Sequence, residues 1–264
     1  MAAFAANSVL AREALADGDG AWLFGFIRIL SGAATLGLIF ALRHSGLRGL
    51  WASGSWSGAF ALSTYIALFS TAYLSLPAGL GALILFAAVQ FTMLAAARRR
   101  GEVWGMANYI GFLIAVAGAV LIFAPGVSKG VSAAGRTPLI PALAMSGAGL
   151  AWGLYSLPSR KHSAPPLDRT AGNFARGALL LLALSLPVFA SNRMAPLDGA
   201  GVTLAIASGA LASGLGYAVW YTALPASASR RPPSPNSACP RSPPSAASFS
   251  SANPSPRSSS PPWR

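Results

Sequence analysis

From Trp22 to Leu224 the chain is an almost unbroken series of apolar stretches of membrane-spanning length, and at Pro225 it passes without transition into a tail of Ser, Pro and Arg. A helix that crosses the hydrocarbon core of a bilayer needs about 20 mostly apolar residues. Seven stretches meet or approach that length: Trp22 to Leu42, Ser57 to Ser75, Ala78 to Ala97, Gly105 to Ala124, Pro141 to Pro158, Ala171 to Ala190 and Gly201 to Leu224. An eighth, Met1 to Leu15, is partial, because Arg12, Glu13, Asp17 and Asp19 interrupt it after one apolar decade. No segment alternates polar and apolar residues as the strands of a membrane barrel do. The connections are short and carry Gly and Pro, at Leu76 and Pro77, Pro125 and Gly126, and Pro165 and Pro166, so neighbouring helices should run antiparallel. The expected fold class is all-α, a polytopic membrane helix bundle of about eight transmembrane helices.

Charge fits this reading. The 264 residues are 54% hydrophobic and 9% charged, with a mean hydropathy of +0.55, far from the mix of a soluble domain. A net charge of +13 would suggest nucleic acid as partner in a soluble protein. Here the basic residues fall between apolar runs, where they orient helices, so the expected partner is the lipid bilayer and not nucleic acid. Arg43, Arg48, Arg98, Arg99, Arg100, Arg160, Lys161 and Arg169 lie on one side, against Arg12, Lys129, Arg136 and Arg193 on the other. The richer side should face the cytoplasm, which places the N-terminus inside and, after eight spans, the tail inside too. Met1 to Leu15 lacks the basic start and the cleavage site of a signal peptide, and reads as a helix cut short. The single cysteine, Cys239, lies in the tail and permits no disulfide within the chain. His44 and His162 lie in loops, and the spans hold no carboxylate pair and no metal-ligand cluster, so neither an enzyme, a metal site nor a cofactor is expected.

Polar side chains at membrane depth are the candidates for function, because an ionisable group at a helix centre costs about 2.5 to 3.5 kcal/mol on insertion scales. Arg28 stands first. It either snorkels to the outer interface or faces a central cavity and binds an anionic group. Asn7, Gln90, Thr92 and Asn173 either hydrogen-bond across helices or line a wet cavity. Trp152, Tyr155 and Tyr217 are expected to line a cavity that stacks on an organic substrate, whereas Tyr221 reads as an interfacial belt residue and Arg176 as a snorkelling one. Glu102 is expected in a loop ion pair with Arg98 to Arg100. Glycines within spans, such as Gly32, Gly81, Gly149 and Gly214, are expected to permit close helix approach.

A weak internal repeat is visible: Tyr73-Leu74-Ser75-Leu76-Pro77 recurs as Tyr221-Thr222-Ala223-Leu224-Pro225, each preceded by helices bearing Asn and Arg. Duplicated halves that meet at a midplane site are a common plan for transporters. Several segments carry a family resemblance: Phe4-Ala5-Ala6-Asn7-Ser8, Arg28 with Ser31-Gly32-Ala33, Gly81-Ala82-Leu83-Ile84-Leu85-Phe86 running to Val89-Gln90, and Gly101-Glu102. In the second half Ala151-Trp152-Gly153-Leu154-Tyr155-Ser156, Thr170-Ala171-Gly172-Asn173-Phe174 and Ser213-Gly214-Leu215-Gly216-Tyr217 continue it. Over residues 1 to about 225 the chain resembles the drug/metabolite transporter superfamily, in the bacterial form built from two EamA domains. The resemblance implies ten helices in two inverted five-helix halves. It also implies a multi-pass location in the bacterial inner membrane and alternating-access export of amino acids or other small metabolites through a cavity between the halves. A basic residue at the position of Arg28 is common in that family, which favours the cavity reading. On this pattern residues 1–125 form the first repeat (helices about 1–15, 22–42, 57–75, 78–97 and 105–124), 126–140 a connecting loop, 141–225 a partial second repeat (helices about 141–158, 171–190 and 201–224), and 226–264 a disordered tail.

Helices nine and ten of the pattern are not found in the tail. Read one base out of frame, however, Ser250-Ser251-Ala252-Asn253-Pro254 permits Leu-Leu-Gly-Glu-Pro, the ending expected of the ninth helix, and Pro243 to Ser248 permit Ala-Ala-Leu-Gly-Gly-Val. The tail is therefore expected to be a frameshifted end. The other readings are a genuine disordered tail and a non-functional truncated remnant of such a carrier.

Overall fold

A computed structural model describes residues 2–16, 20–101, 105–122, 139–157, 164–190 and 196–228. The chain divides into a unit Met1–Pro225 and a unit Ala226–Arg264. The tail expected over 226–264, with Cys239, lies outside the described residues beyond 228, as do Glu102, His162 and nearly all of the connecting loop.

Among the described residues every regular element is a helix. They are α1 (Ala2–Ala14), α2 (Ala21–His44), α3 (Leu50–Ser53), α4 (Trp56–Tyr73), α5 (Ala78–Arg99), α6 (Met106–Ile122), α7 (Leu139–Ser156), α8 (Pro166–Ala190) and a rod formed by α9 (Gly199–Ala207), a π-helical stretch Ser208–Leu215 and α10 (Gly216–Ala228). Local chemistry sets their ends. Gly20, at φ 76°, turns the chain into α2, and Ser45, at φ 54°, closes it by returning its N–H to the Ala41 carbonyl. Arg43 and His44 occupy the last turn of α2, and Arg98 and Arg99 that of α5, where positive charge meets the negative end of the helix dipole. Ser55 caps α4 by accepting from the Gly58 N–H, and Asp198 caps α9 by accepting from the Gly201 N–H. At the far end of α4, Arg12 Nη1 donates to the carbonyls of Tyr73 (3.1 Å) and Leu74 (3.3 Å).

Four stretches are long and apolar enough to cross a membrane: Ala21–His44, Ala78–Arg99, Leu139–Ser156 and Gly199–Ala223. The remaining helices differ for physical reasons. α1 has 13 residues, about 20 Å at 1.5 Å per residue, against a hydrocarbon core of about 30 Å. α6 has 17 residues. α4 carries five Ser and Thr side chains, Ser57, Ser63, Thr64, Ser70 and Thr71, besides Tyr65 and Tyr73. α8 places Asp168, Arg169, Asn173 and Arg176 in its first half.

Large apolar side chains lie on the outside as well as in the core. Leu38, Phe60, Leu143, Leu154 and Val219 point outward, while Asn7, Arg28, Ser63, Ser70, Ser208 and Ser213 are buried. An apolar outer surface on four helices long enough to span hydrocarbon is what a bilayer selects, and the chain is accordingly a membrane protein. Buried hydroxyls bond carbonyls one turn back on their own helix, as Ser70 does to Ile66 (2.8 Å) and Thr92 to Ala88 (2.8 Å).

The centre is built by α2, which lies between α8 and the π-helical stretch, and by α4, which packs against α7 and α8. Glycine permits the closest approaches. A Cβ on Gly209 would fall on Ser31 Oγ and the Arg28 carbonyl, and one on Gly32 would come within 2.7 Å of the Phe174 ring. α1 covers α9 and the π-helical stretch on one side, and α5 covers α7 on the other. Exchanging α1, α2 and α4 for α7, α8 and the α9–π stretch turns the α4–α7 contact into that of the π stretch with α1. The same exchange turns the contact of α2 with the π stretch into that of α8 with α4.

Candidate functional site

Arg28 lies about two turns into α2 and is 2% exposed. It does not snorkel. The guanidinium is held over the rings of Tyr65 (5.2 Å) and Phe69 (4.6 Å) of α4, and Nη2 donates to the Tyr65 hydroxyl at 2.8 Å. Its Nε and Nη1 are buried with no hydrogen-bond partner among the described residues. A cation taken out of water without a counter-charge is costly, so this arrangement calls for a ligand or a purpose.

A small cavity touches Arg28, lined by Asn7, Tyr65, Trp152, Phe174, Ser213 and Tyr217 together with Leu62 and Ile66. Its free volume is about 10 Å³, room for about one water. Asn7 is fixed by its Oδ1, which accepts from Ser208 Oγ at 2.7 Å. Ser208 and Ser213 both stand in the π-helical stretch, an irregularity that recurs at functional sites. Trp152 stacks on Tyr65 (5.8 Å, 24°) and donates from Nε1 to the Tyr217 hydroxyl at 3.1 Å.

A larger pocket of about 370 Å³ opens at the N-terminal end of α4, between Ser55, Ser57 and Phe60 of that segment, Leu154 and Tyr155 of α7, and Arg169 and Asn173 of α8. Between pocket and cavity stands an aromatic partition. Tyr217 meets Tyr155 at 6.4 Å and Phe174 at 6.0 Å, both edge to face. Tyr155 lines the pocket and Tyr217 and Phe174 line the cavity, so these ring contacts connect the walls of the two spaces.

The same end of the bundle is fastened by charge. Asp168, in the first turn of α8, is 4% exposed. Its carboxylate accepts from Arg43 (3.2 Å) and pairs with His44 (3.0 Å) at the end of α2. Ser53 Oγ donates to the Asp168 carbonyl (2.9 Å), and the Ser55 N–H donates to Asn173 Oδ1 (2.7 Å). Two glycines, Gly54 and Gly172, let the backbones meet there.

Of the seven cavity residues expected from the sequence, Asn7, Arg28, Trp152 and Tyr217 line the small cavity, and Tyr155 and Asn173 line the open pocket. Gln90 does neither: it is exposed on the outer face of α5, because Leu85, Ala88 and Thr92 supply the face that α5 turns to α7. Tyr221, expected as an interfacial belt residue, is half-buried and has partners within the bundle. It stacks on Tyr217 (6.0 Å, 16°), and its hydroxyl accepts from Thr170 Oγ1 at 3.4 Å. Arg176 is covered, not snorkelling: its guanidinium lies over Trp51 (4.8 Å) and Trp56 (5.5 Å). His44 ends a helix and bonds Asp168, which the sequence reading passed over along with Tyr65 and Ser213. Tyr65 carried a signal, since Tyr65, Phe69 and Tyr73 recur every four residues along one face of α4 and touch in series. Asp168 carried one too, as an acid in a first helical turn opened by Pro166.

No protein-family model matches the chain, and no solved structure matches it. A similar protein is the uncharacterized protein PA1977 of Pseudomonas aeruginosa, 48% identical over 226 residues, which are 85% of this chain and 74% of the relative. At that identity and coverage the chain belongs to the family of this Pseudomonas aeruginosa protein.

Proposed function

We propose that the protein is a carrier of the drug/metabolite type, moving amino acids or other small metabolites out across the bacterial inner membrane by alternating access. The observation that carries this reading is Arg28, a buried cation with two unmatched donors in an aromatic-walled cavity between helices of the two sequence halves. Arg176 also has Nε and Nη1 unmatched among the described residues, but it lies over Trp51 and Trp56 and lines neither space, whereas Arg28 stands on a cavity wall where a ligand could meet its donors. The exchange of packing partners between α1, α2, α4 and α7, α8, α9 fits two inverted repeats about a midplane site. With the N-terminus cytoplasmic, the ends rich in Arg43, Arg48 and Arg98 to Arg100 face inward, and the 370 Å³ pocket becomes a cytoplasmic vestibule before the small cavity. Eight membrane crossings then follow, with the short α1 and the hydroxyl-bearing α4 counted among them.

The test is Arg28→Met in cells that express the protein, with export measured beside the amount inserted in the membrane. The expected outcome is loss of export with insertion retained. Unchanged export would remove Arg28 and this reading together.

A second reading, a non-functional remnant, draws on the unit boundary at Pro225 and on a match of 226 residues in a chain of 264. Sequencing source DNA across the codons for Ala223 to Ser237, and comparing export by the 264-residue product with that of a frame-restored version, decides it. Equal export would refute the remnant.

A further inference from the structure

We infer that the Arg28 cavity takes a monoanion with an aromatic or otherwise flat apolar body and without an ammonium group, an aromatic carboxylate and not the corresponding amino acid. This rests on the carrier reading for the identity of the site. Among the described residues the carboxylates are Glu13, Asp168 and Asp198. Glu13 and Asp198 are exposed, and Asp168 is engaged with Arg43 and His44 at the N-terminal end of α8. The cavity wall therefore carries one cation, Arg28, and no acid. A ligand carboxylate would meet Nε or Nη1, the two donors left unmatched.

An ammonium group on the same ligand would find the opposite. It would sit within a few ångströms of Arg28 in a medium that screens poorly, where like charges repel strongly. Three of the oxygens that might accept its protons already accept one bond each, Asn7 Oδ1 from Ser208, the Tyr65 hydroxyl from Arg28 and the Tyr217 hydroxyl from Trp152, which leaves the Ser213 hydroxyl as the remaining polar group on the wall. What the walls offer besides the cation and these polar groups is ring surface, from Tyr65, Trp152, Phe174 and Tyr217, which suits a flat apolar body. At about 10 Å³ the cavity must open to admit one, and the partition formed by Tyr155 and Tyr217 is where it would part from the vestibule.

The experiment uses the full chain, purified in lipid nanodiscs, and a pair of probes that differ only by an amine: 3-phenylpropanoate and L-phenylalanine. Binding is read by titration calorimetry. The expected result is binding of 3-phenylpropanoate at least tenfold tighter than that of phenylalanine, and loss of 3-phenylpropanoate binding in Arg28→Met. Equal or tighter binding of phenylalanine, no binding of 3-phenylpropanoate, or undiminished binding by the variant would each overturn the inference. The preference is measured on the unaltered protein, so it does not depend on the variant folding. Flux in proteoliposomes separates the two claims. Binding of 3-phenylpropanoate without flux would sink the carrier and keep the ligand class, whereas flux of phenylalanine alone would keep the carrier and sink the ligand class.

Discussion

Arg28 and Asp168 are both buried ionic side chains in the same compact unit, and they are treated in opposite ways. Asp168 has a full set of partners: Arg43, His44 and, through its backbone, Ser53. It joins the end of α2 to the start of α8, and its surroundings explain it without a ligand. Arg28 has one neutral hydrogen-bond partner, two aromatic faces and two orphaned donors. A matched buried charge is a fastening, because removing its partner leaves the other side uncompensated. An unmatched one lowers stability where it stands, and beside a cavity, as Arg28 is and Arg176 is not, it has donors to offer a ligand.

Opposite signs should therefore follow from neutralising the two. Arg28→Met, which keeps the length of the side chain and removes the uncompensated charge, should raise the stability of the folded protein by about 1 kcal/mol or more, seen as a higher melting midpoint in detergent, although it abolishes export. A lower midpoint would mean that the guanidinium holds the core together and is structural after all. Asp168→Asn should do the reverse and lower stability by about 1 kcal/mol with export retained. The cost stays near the bottom of the usual range because the side chains of Arg43 and His44 are 47% and 42% exposed and can hydrate when released. Loss of export in Asp168→Asn with an unchanged midpoint would make the pair part of the transport cycle. Smallest of all, Gln90→Ala should change neither midpoint nor export, since Gln90 faces outward from α5; a clear export defect there would show that α5 takes part in transport through a face other than the one it turns to α7.

Much of the fold was legible along the chain because the bilayer imposes a length and a hydropathy that any spanning segment must meet. All seven long apolar stretches, and the partial one at the start, fall on helices within a few residues of where they were expected. The short α3 and the π-helical stretch were not legible. Ser208 to Leu215 is made of small and apolar residues that suit an α-helix equally well, and within it Gly209 and Gly214 lie close against α2. The candidate site was half legible. Asn7, Arg28, Trp152 and Tyr217 stand out as polar or amphipathic groups at membrane depth, but Gln90 stands out equally and faces away, because composition along a helix does not say which face meets a neighbour.

By itself the sequence determined that this protein is a bundle of apolar helices, roughly where each begins and ends, and which few polar side chains need an explanation. Those follow from local quantities: hydropathy over about 20 residues, capping groups, and the cost of charge in hydrocarbon. Only the tertiary structure decided which of those side chains are paired. Arg28 and Asp168 are 140 positions apart in the sequence, and nothing local to either says that one would meet Arg43 and His44 while the other would be left with aromatic rings and a small cavity. Pairing depends on which helix faces meet, and at the centre that was set by glycines, where the loss of a Cβ lets one backbone come against another.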